Sequence, residues 1–96
     1  WVQKSDTEVV SSLGFGLMTE DRETVVKALT ENEIECRPLI CGSIQEHPFW
    51  TLTNKFEKSY LPNADKVHKN GLYVPCHQSM TNKEVDFICQ ILLATK

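Results

Sequence analysis

Leu72-Tyr73-Val74-Pro75 and, just beyond it, Thr81-Asn82-Lys83-Glu84-Val85-Asp86-Phe87-Ile88-Cys89-Gln90-Ile91-Leu92 decide how this chain folds. Thr81 and Glu84 stand at the spacing of a capping box, in which each side chain satisfies a backbone amide left over at a helix start. Behind them Val85, Ile88, Cys89 and Leu92 fall at the 0, 3, 4, 7 positions of one helical face. The triplet Leu72-Tyr73-Val74 is β-prone and is closed by Pro75, which cannot donate to a ladder. A strand that hands over to an amphipathic helix predicts a sheet with helices laid on it. The stripe on that last helix, with Leu92-Leu93, is expected to be core.

Further toward the amino terminus, Asn63 is expected to cap a short helix carrying Ala64, Val67 and His68, stopped at Asn70-Gly71. Ile34 to Ile40 predicts a second strand, and Pro38 within it marks an edge or an irregular end. Thr19 is expected to cap a helix with Glu20 and Asp21 at its positive end, Val25, Val26 and Leu29 on one face, and Asn32 near its stop. Val9 to Met18 sets Leu13, Phe15 and Leu17 against Gly14 and Gly16, the period of a strand. Glycines along one strand face let another backbone or a ligand come close. Residues 41–50 predict a loop, and Thr51 to Tyr60 short helix or coil. The order is β-α-β-loop-α-β-α: an α/β (α+β) fold, a small sheet with helices packed on it, in one domain over residues 1–96.

A domain of 96 residues hides roughly 60–65% of its unfolded surface, so its core is modest. With 41% apolar and 24% charged residues the composition is that of an ordinary globular protein. A net charge of −3, with Lys27, Lys55, Lys58, Lys66, Lys69 and Lys83 scattered, argues against a nucleic-acid partner. No apolar run reaches the roughly 18 residues of a bilayer span, and no secretory leader opens the chain. No membrane partner is expected, and the chain reads as cytoplasmic. Cys36, Cys41, Cys76 and Cys89 read as reduced, half-buried thiols rather than as two disulfides. The first residue is Trp1, which fits a fragment, a processed product or a gene piece.

Several segments follow one another with family-like spacing: Leu13-Gly14-Phe15-Gly16-Leu17; Arg22 with Val26 and Leu29; Ile34-Glu35-Cys36-Arg37-Pro38-Leu39-Ile40; Cys41-Gly42-Ser43-Ile44; and His47-Pro48-Phe49-Trp50. Leu61 to Asp65, Gly71 to Pro75 and Thr81 to Ile91 complete the set. Together they resemble the carboxy-terminal region of the DegT/DnrJ/EryC1/StrS aminotransferases, in the branch that holds perosamine-synthase-like enzymes and sugar 3-dehydratases. The resemblance spans almost the whole chain, and the ordered set rather than any one piece is specific. Glu33 departs from a helix-ending Gly, and Ser43 from an Asn in the presumed substrate loop.

That resemblance implies the small domain of a fold-type-I pyridoxal-phosphate enzyme that modifies nucleotide-linked sugars, by transamination of a 4-keto sugar or by removal of the 3-hydroxyl. It also implies that the Schiff-base lysine and the cofactor belong to a large domain absent from this chain. No cofactor is then bound here, no catalytic residue is expected, and the chain alone is inactive. The implied partners are that large domain and a second subunit; a homodimer of the fragment is a further expectation.

Arg37 carries a planar fork suited to a phosphate or carboxylate, against the plainer reading of a surface pair with Glu35 or Glu46. Ser43, Gln45 and His47 sit in a loop and are suited to sugar hydroxyls, against a merely solvent-facing connection. Phe49 and Trp50 are expected at the interface with the large domain. His68 reads as partly exposed structure. Cys76-His77 is rejected as a nucleophile pair because neighbours in extended chain point apart. A metal set from Cys36, Cys41, His47, Cys76 and His77 fails for want of a close Cys-x-x-Cys pair. The alternative is a free-standing α/β module that binds a ligand or a protein without catalysis, since a fold of this kind does not assign a function.

Overall fold

A computed structural model describes residues 12–40, 42–53 and 57–96. Val9 to Ser11 of the first strand reading, Cys41 of the loop, and residues 54–56 with Lys55 lie outside the described residues. The elements are β1 (Gly14–Met18), α1 (Arg22–Glu31), β2 (Arg37–Pro38), a 3-10 turn (Ile44–Glu46), α2 (Pro48–Leu52), α3 (Pro62–Asn70), β3 (Gly71–Pro75) and α4 (Asn82–Ala94). The α+β expectation holds. The sheet is antiparallel in the order β1-β3-β2, with β3 central, Gly16 opposite Tyr73 and Arg37 also opposite Tyr73. β2 is an edge of two residues, because Pro38 removes a ladder donor and the chain leaves the sheet after it.

Alternation along β3 divides the sheet into a covered and an open face. Leu72 and Val74 join Val25 and Leu29 of α1, Ile34, and Ile88 of α4 in the buried core, with Leu17, Ile91 and Leu92 packed around them. Helices α1 and α4 touch each other over this face. The stripe on α4 is narrower than its periodicity predicts. Ile88, Ile91 and Leu92 face the core, whereas Val85, Cys89 and Leu93 are exposed, so Leu92-Leu93 is only half core.

Helix α1 shows how local chemistry fixes the ends. Its N-cap is Asp21, whose carboxylate accepts the Thr24 amide at 3.1 Å and the Thr24 hydroxyl at 2.6 Å. The helix starts two residues later than a Thr19 cap would place it; the Thr19 amide donates to Asn70 O at 3.1 Å, tying the end of β1 to α3. At the other end Glu33 N donates to Thr30 O and Ile34 N to Leu29 O, the paired bonds of a Schellman motif. That motif needs a left-handed residue, and Glu33 takes it with φ +58°. Glycine would adopt this conformation without the clash of a Cβ against the following carbonyl.

The capping box of α4 forms as its sequence predicts. Thr81 N donates to Glu84 Oε2 at 2.6 Å and Glu84 N to Thr81 Oγ1 at 3.3 Å. Helix α3 begins one residue before its expected cap, with Leu61 as N-cap and Pro62 in its first turn, where a missing N–H costs nothing. Cys36 is half-buried, while Cys76 and Cys89 are exposed, and all three are free thiols. Burial, with Glu35 beside it, pushes the Cys36 thiol up from its ordinary value.

Candidate functional site

The junction where α3 passes into β3 gathers donors from almost every other element. A helix leaves its last carbonyls without intrahelical partners, and those of α3 are met from outside. Arg22, the first residue of α1, donates through Nη1 to His68 O at 2.7 Å and Gly71 O at 3.3 Å. Leu39 N, at the end of β2, donates to Gly71 O at 3.3 Å. The guanidinium also sits where a helix carboxyl end favours positive charge. Arg22 therefore holds the turn that presents α3 to the rest of the molecule, a role its place on a polar helix face does not announce.

The segment 42–52 lies against this junction. It is not a plain loop: the 3-10 turn at Ile44–Glu46 is followed by α2, started by Pro48. Pro48 at a first helical position was the available signal for that helix. Ser43 N donates to His68 Nδ1 at 3.1 Å. Gln45 is buried at 4% exposure and is bonded at both ends of its amide, donating to Ser59 O and accepting from Ser59 N, each at 2.9 Å. Its side chain thus mimics a strand partner for residue 59. Beside it Lys58 pairs with Glu46 at 3.2 Å.

Of the residues singled out in the sequence, Ser43, Gln45 and His47 come together here and Arg37 does not. Ser43 is 2% exposed, and among the described residues its Oγ has no hydrogen-bond partner. The half-buried His47 ring lies 6.0 Å from Phe49 and 6.5 Å, edge to face, from His68. Arg37 stands on the edge strand, exposed, with Nη2 donating to Glu35 Oε1 at 3.0 Å. It lines a separate hollow with Cys36, Cys76 and His77. The outer flank of the segment is bare and apolar, with Ile44 at 54%, Phe49 at 51% and Leu52 at 79% exposure. Trp50 is half-buried.

The open face of the sheet carries a groove of about 970 Å³ lined by Gly14, Gly16, Leu39, Lys66, Val67 and Tyr73, among others. The Tyr73 ring lies over β1, and a Cβ on Gly14 would stand 2.6 Å from Tyr73 Cδ2. At Gly14 the strand thus allows a close approach, made here by the chain's own tyrosine. Among the described residues no group of three or more His, Cys, Asp or Glu suits a metal ion. No helix among them is long and apolar enough to cross a membrane.

A family model, the DegT/DnrJ/EryC1/StrS aminotransferase family, matches residues 2–93. The chain belongs to this family. It is similar to GDP-4-keto-6-deoxy-D-mannose 3-dehydratase of Escherichia coli O55:H7 (strain CB9615 / EPEC), 29% identical over 100 aligned positions. That alignment covers 93% of this chain and 24% of the dehydratase, so the chain spans about a quarter of the relative's length. No solved structure matches.

The family depends on pyridoxal phosphate, which is held through a lysine Schiff base together with groups for its phosphate and its ring nitrogen. The described residues do not fit that task. Lys27, Lys58, Lys66, Lys69, Lys83 and Lys96 are all exposed, and Lys27 and Lys58 are drawn to Glu31 and Glu46.

Proposed function

We propose that this chain is the small domain of a pyridoxal-phosphate enzyme acting on a nucleotide-linked sugar, an aminotransferase or a 3-dehydratase, in which it closes one side of the active-site cleft. The observation that carries the reading is the bare apolar flank of residues 44–52, on a chain that matches the family from residue 2 to residue 93. Apolar side chains grouped on a folded surface favour burial against another protein surface. Phe49 and Trp50 supply that contact with a larger domain that brings the lysine and the cofactor, and a second subunit completes the cleft.

In this reading the segment 42–52 divides its labour. Gln45 frames it through Ser59, and His47 is the group offered to sugar hydroxyls, while the buried Ser43 hydroxyl, without a hydrogen-bond partner among the described residues, lies behind it. A buried hydroxyl without a partner costs about 1–3 kcal/mol, which a ligand or a neighbouring domain would offset. Arg37, already drawn to Glu35, is the anion-binding candidate, and a phosphate would have to displace that carboxylate. The chain by itself does no chemistry.

Two measurements test the reading. The coding sequence upstream of Trp1 should run in frame into a cofactor domain with its lysine; a stop codon directly upstream would favour the free-standing module instead. Treatment of the chain with pyridoxal phosphate and borohydride should give only scattered, substoichiometric lysine adducts. One stoichiometric adduct at a single lysine would overturn the proposed inactivity.

A further inference from the structure

His68 is held at both ends. Its carbonyl accepts from Arg22, and its ring Nδ1 accepts the Ser43 amide. An imidazole nitrogen that accepts a hydrogen bond carries no hydrogen, so the single ring hydrogen of the neutral side chain sits on Nε2. The chain path supports the same fit. Gly42 turns with φ +49°, and a Cβ there would run into the His68 Nδ1. Beyond Ser43, the His47 ring lies edge to face with the His68 ring at 6.5 Å. Three consecutive features of the segment (the glycine turn, the serine amide and the histidine ring) are thus set against one side chain of α3.

We propose that His68 is the positioning residue of the segment 42–50: its neutral imidazole, acting as an acceptor, fixes Ser43 and with it the face on which His47 stands. That this face meets substrate rests on the function proposed above; the latch itself does not. Without the acceptor, the Ser43 amide would be buried and unpaired, and the segment would turn outward to reach water. His68 contacts no reacting atom and acts only through the loop.

The latch is read by amide hydrogen exchange in the whole 96-residue chain, comparing wild type, His68→Asn and His68→Leu. Asparagine retains an acceptor close to the position of Nδ1, and leucine retains bulk alone. In His68→Leu the Ser43 amide should exchange about tenfold faster than in wild type, the measure of one lost hydrogen bond. His68→Asn should restore most of the protection. The Ser59 amide, held by Gln45, and the Glu84 amide, held by Thr81, report whether the rest stays folded. Equal Ser43 exchange in wild type and His68→Leu, with both reporters protected, overturns the latch.

If His68→Leu also strips protection from the reporters, the wild-type ring decides. A nitrogen-15 spectrum of the imidazole with its hydrogen on Nε2 supports the proposal, and one with the hydrogen on Nδ1 overturns it. Positioning is then read in the complete enzyme with GDP-mannose as probe. His68→Leu should raise Kd several-fold and His68→Asn should return it toward wild type; an unchanged Kd with Ser43 released sinks the positioning role. Wild-type enzyme that ignores GDP-mannose while Ser43 stays latched would instead count against the proposed function and leave the latch standing.

Discussion

Two sides of this small domain are built on different physics. On the covered face of the sheet, Val25, Leu29, Leu72, Val74 and Ile88 interlock as apolar side chains with almost no polar content. On the side of α3 and residues 42–60, the buried groups are polar: Ser43 and Gln45, held through backbone bonds to His68 and Ser59. The first side is stabilised by surface removed from water, which is non-directional and tolerant of detail. The second depends on directed bonds whose loss strands a buried donor or acceptor, an asymmetric penalty. A segment that presents groups to a ligand gains from the second kind, because directed bonds fix orientation as well as position.

The comparison can be broken at its strong side first. Leu72→Ala should cost about 2–5 kcal/mol, enough to leave the chain largely unfolded, read as a lost urea transition. Next comes the polar hub. Arg22→Met should cost about 1–3 kcal/mol by stranding His68 O, while Gly71 O keeps the Leu39 amide as a donor. Its signature should be faster amide exchange at the end of α3 before global unfolding. A cost for Arg22→Met equal to that of Leu72→Ala would erase the distinction between the two sides.

Smaller changes sharpen it. Thr81→Ala should cost about 1 kcal/mol of α4 stability through loss of the cap, seen as a lower thermal midpoint. The same box has an acid limb. Hydrogen bonds from the Thr81 backbone, then its hydroxyl, hold the Glu84 carboxyl below its ordinary value, and the Thr24 hydroxyl and amide do the same for Asp21. Both carboxyls bind protons less readily folded than unfolded. Their contribution is therefore complete above roughly pH 4.5 and fades as pH falls through the lower folded values. Thr81→Ala should flatten the Glu84 share of that limb. Finally Glu33→Gly should stabilise by about 1 kcal/mol, because φ +58° suits glycine and strains any other residue. A destabilised Glu33→Gly would mean that the glutamate side chain does more than occupy the turn.

Much of the covered side was legible along the chain. The capping box of α4 and the inner face of α1 are local or periodic patterns, and periodicity is what a sequence displays; the glycine alternation of β1, on the open face, was legible in the same way. Where local signals misled, a distant partner was responsible. Thr19 looked like the cap of α1, but its amide ties β1 to Asn70 of α3 and the helix begins only at Arg22, where Asp21 caps it. Val85 and Cys89 fit the stripe of α4, yet the contact with α1 engages only the ridge of Ile88, Ile91 and Leu92. The candidate site was legible as a list of residue types and not as an arrangement. Nothing in residues 43, 45 or 47 says that one hydroxyl is buried unpaired, one amide is fully used, and one ring stacks beside a second histidine.

The strands, the helices α1, α3 and α4, the capping of α4 and the membership in a sugar-modifying enzyme family were legible in the linear chain, since each rests on neighbours within a few positions or on an ordered set of motifs. Helix α2 was not, and the left-handed residue is Glu33 rather than Asn32. The hub at His68 was decided only in three dimensions. Arg22 reaches its carbonyl across 46 positions and Ser43 reaches its ring across 25. Bonds of that span require the tertiary fold to bring the carboxyl end of α3 against both α1 and the loop, and a hydrogen bond leaves no periodic trace in the residues that make it.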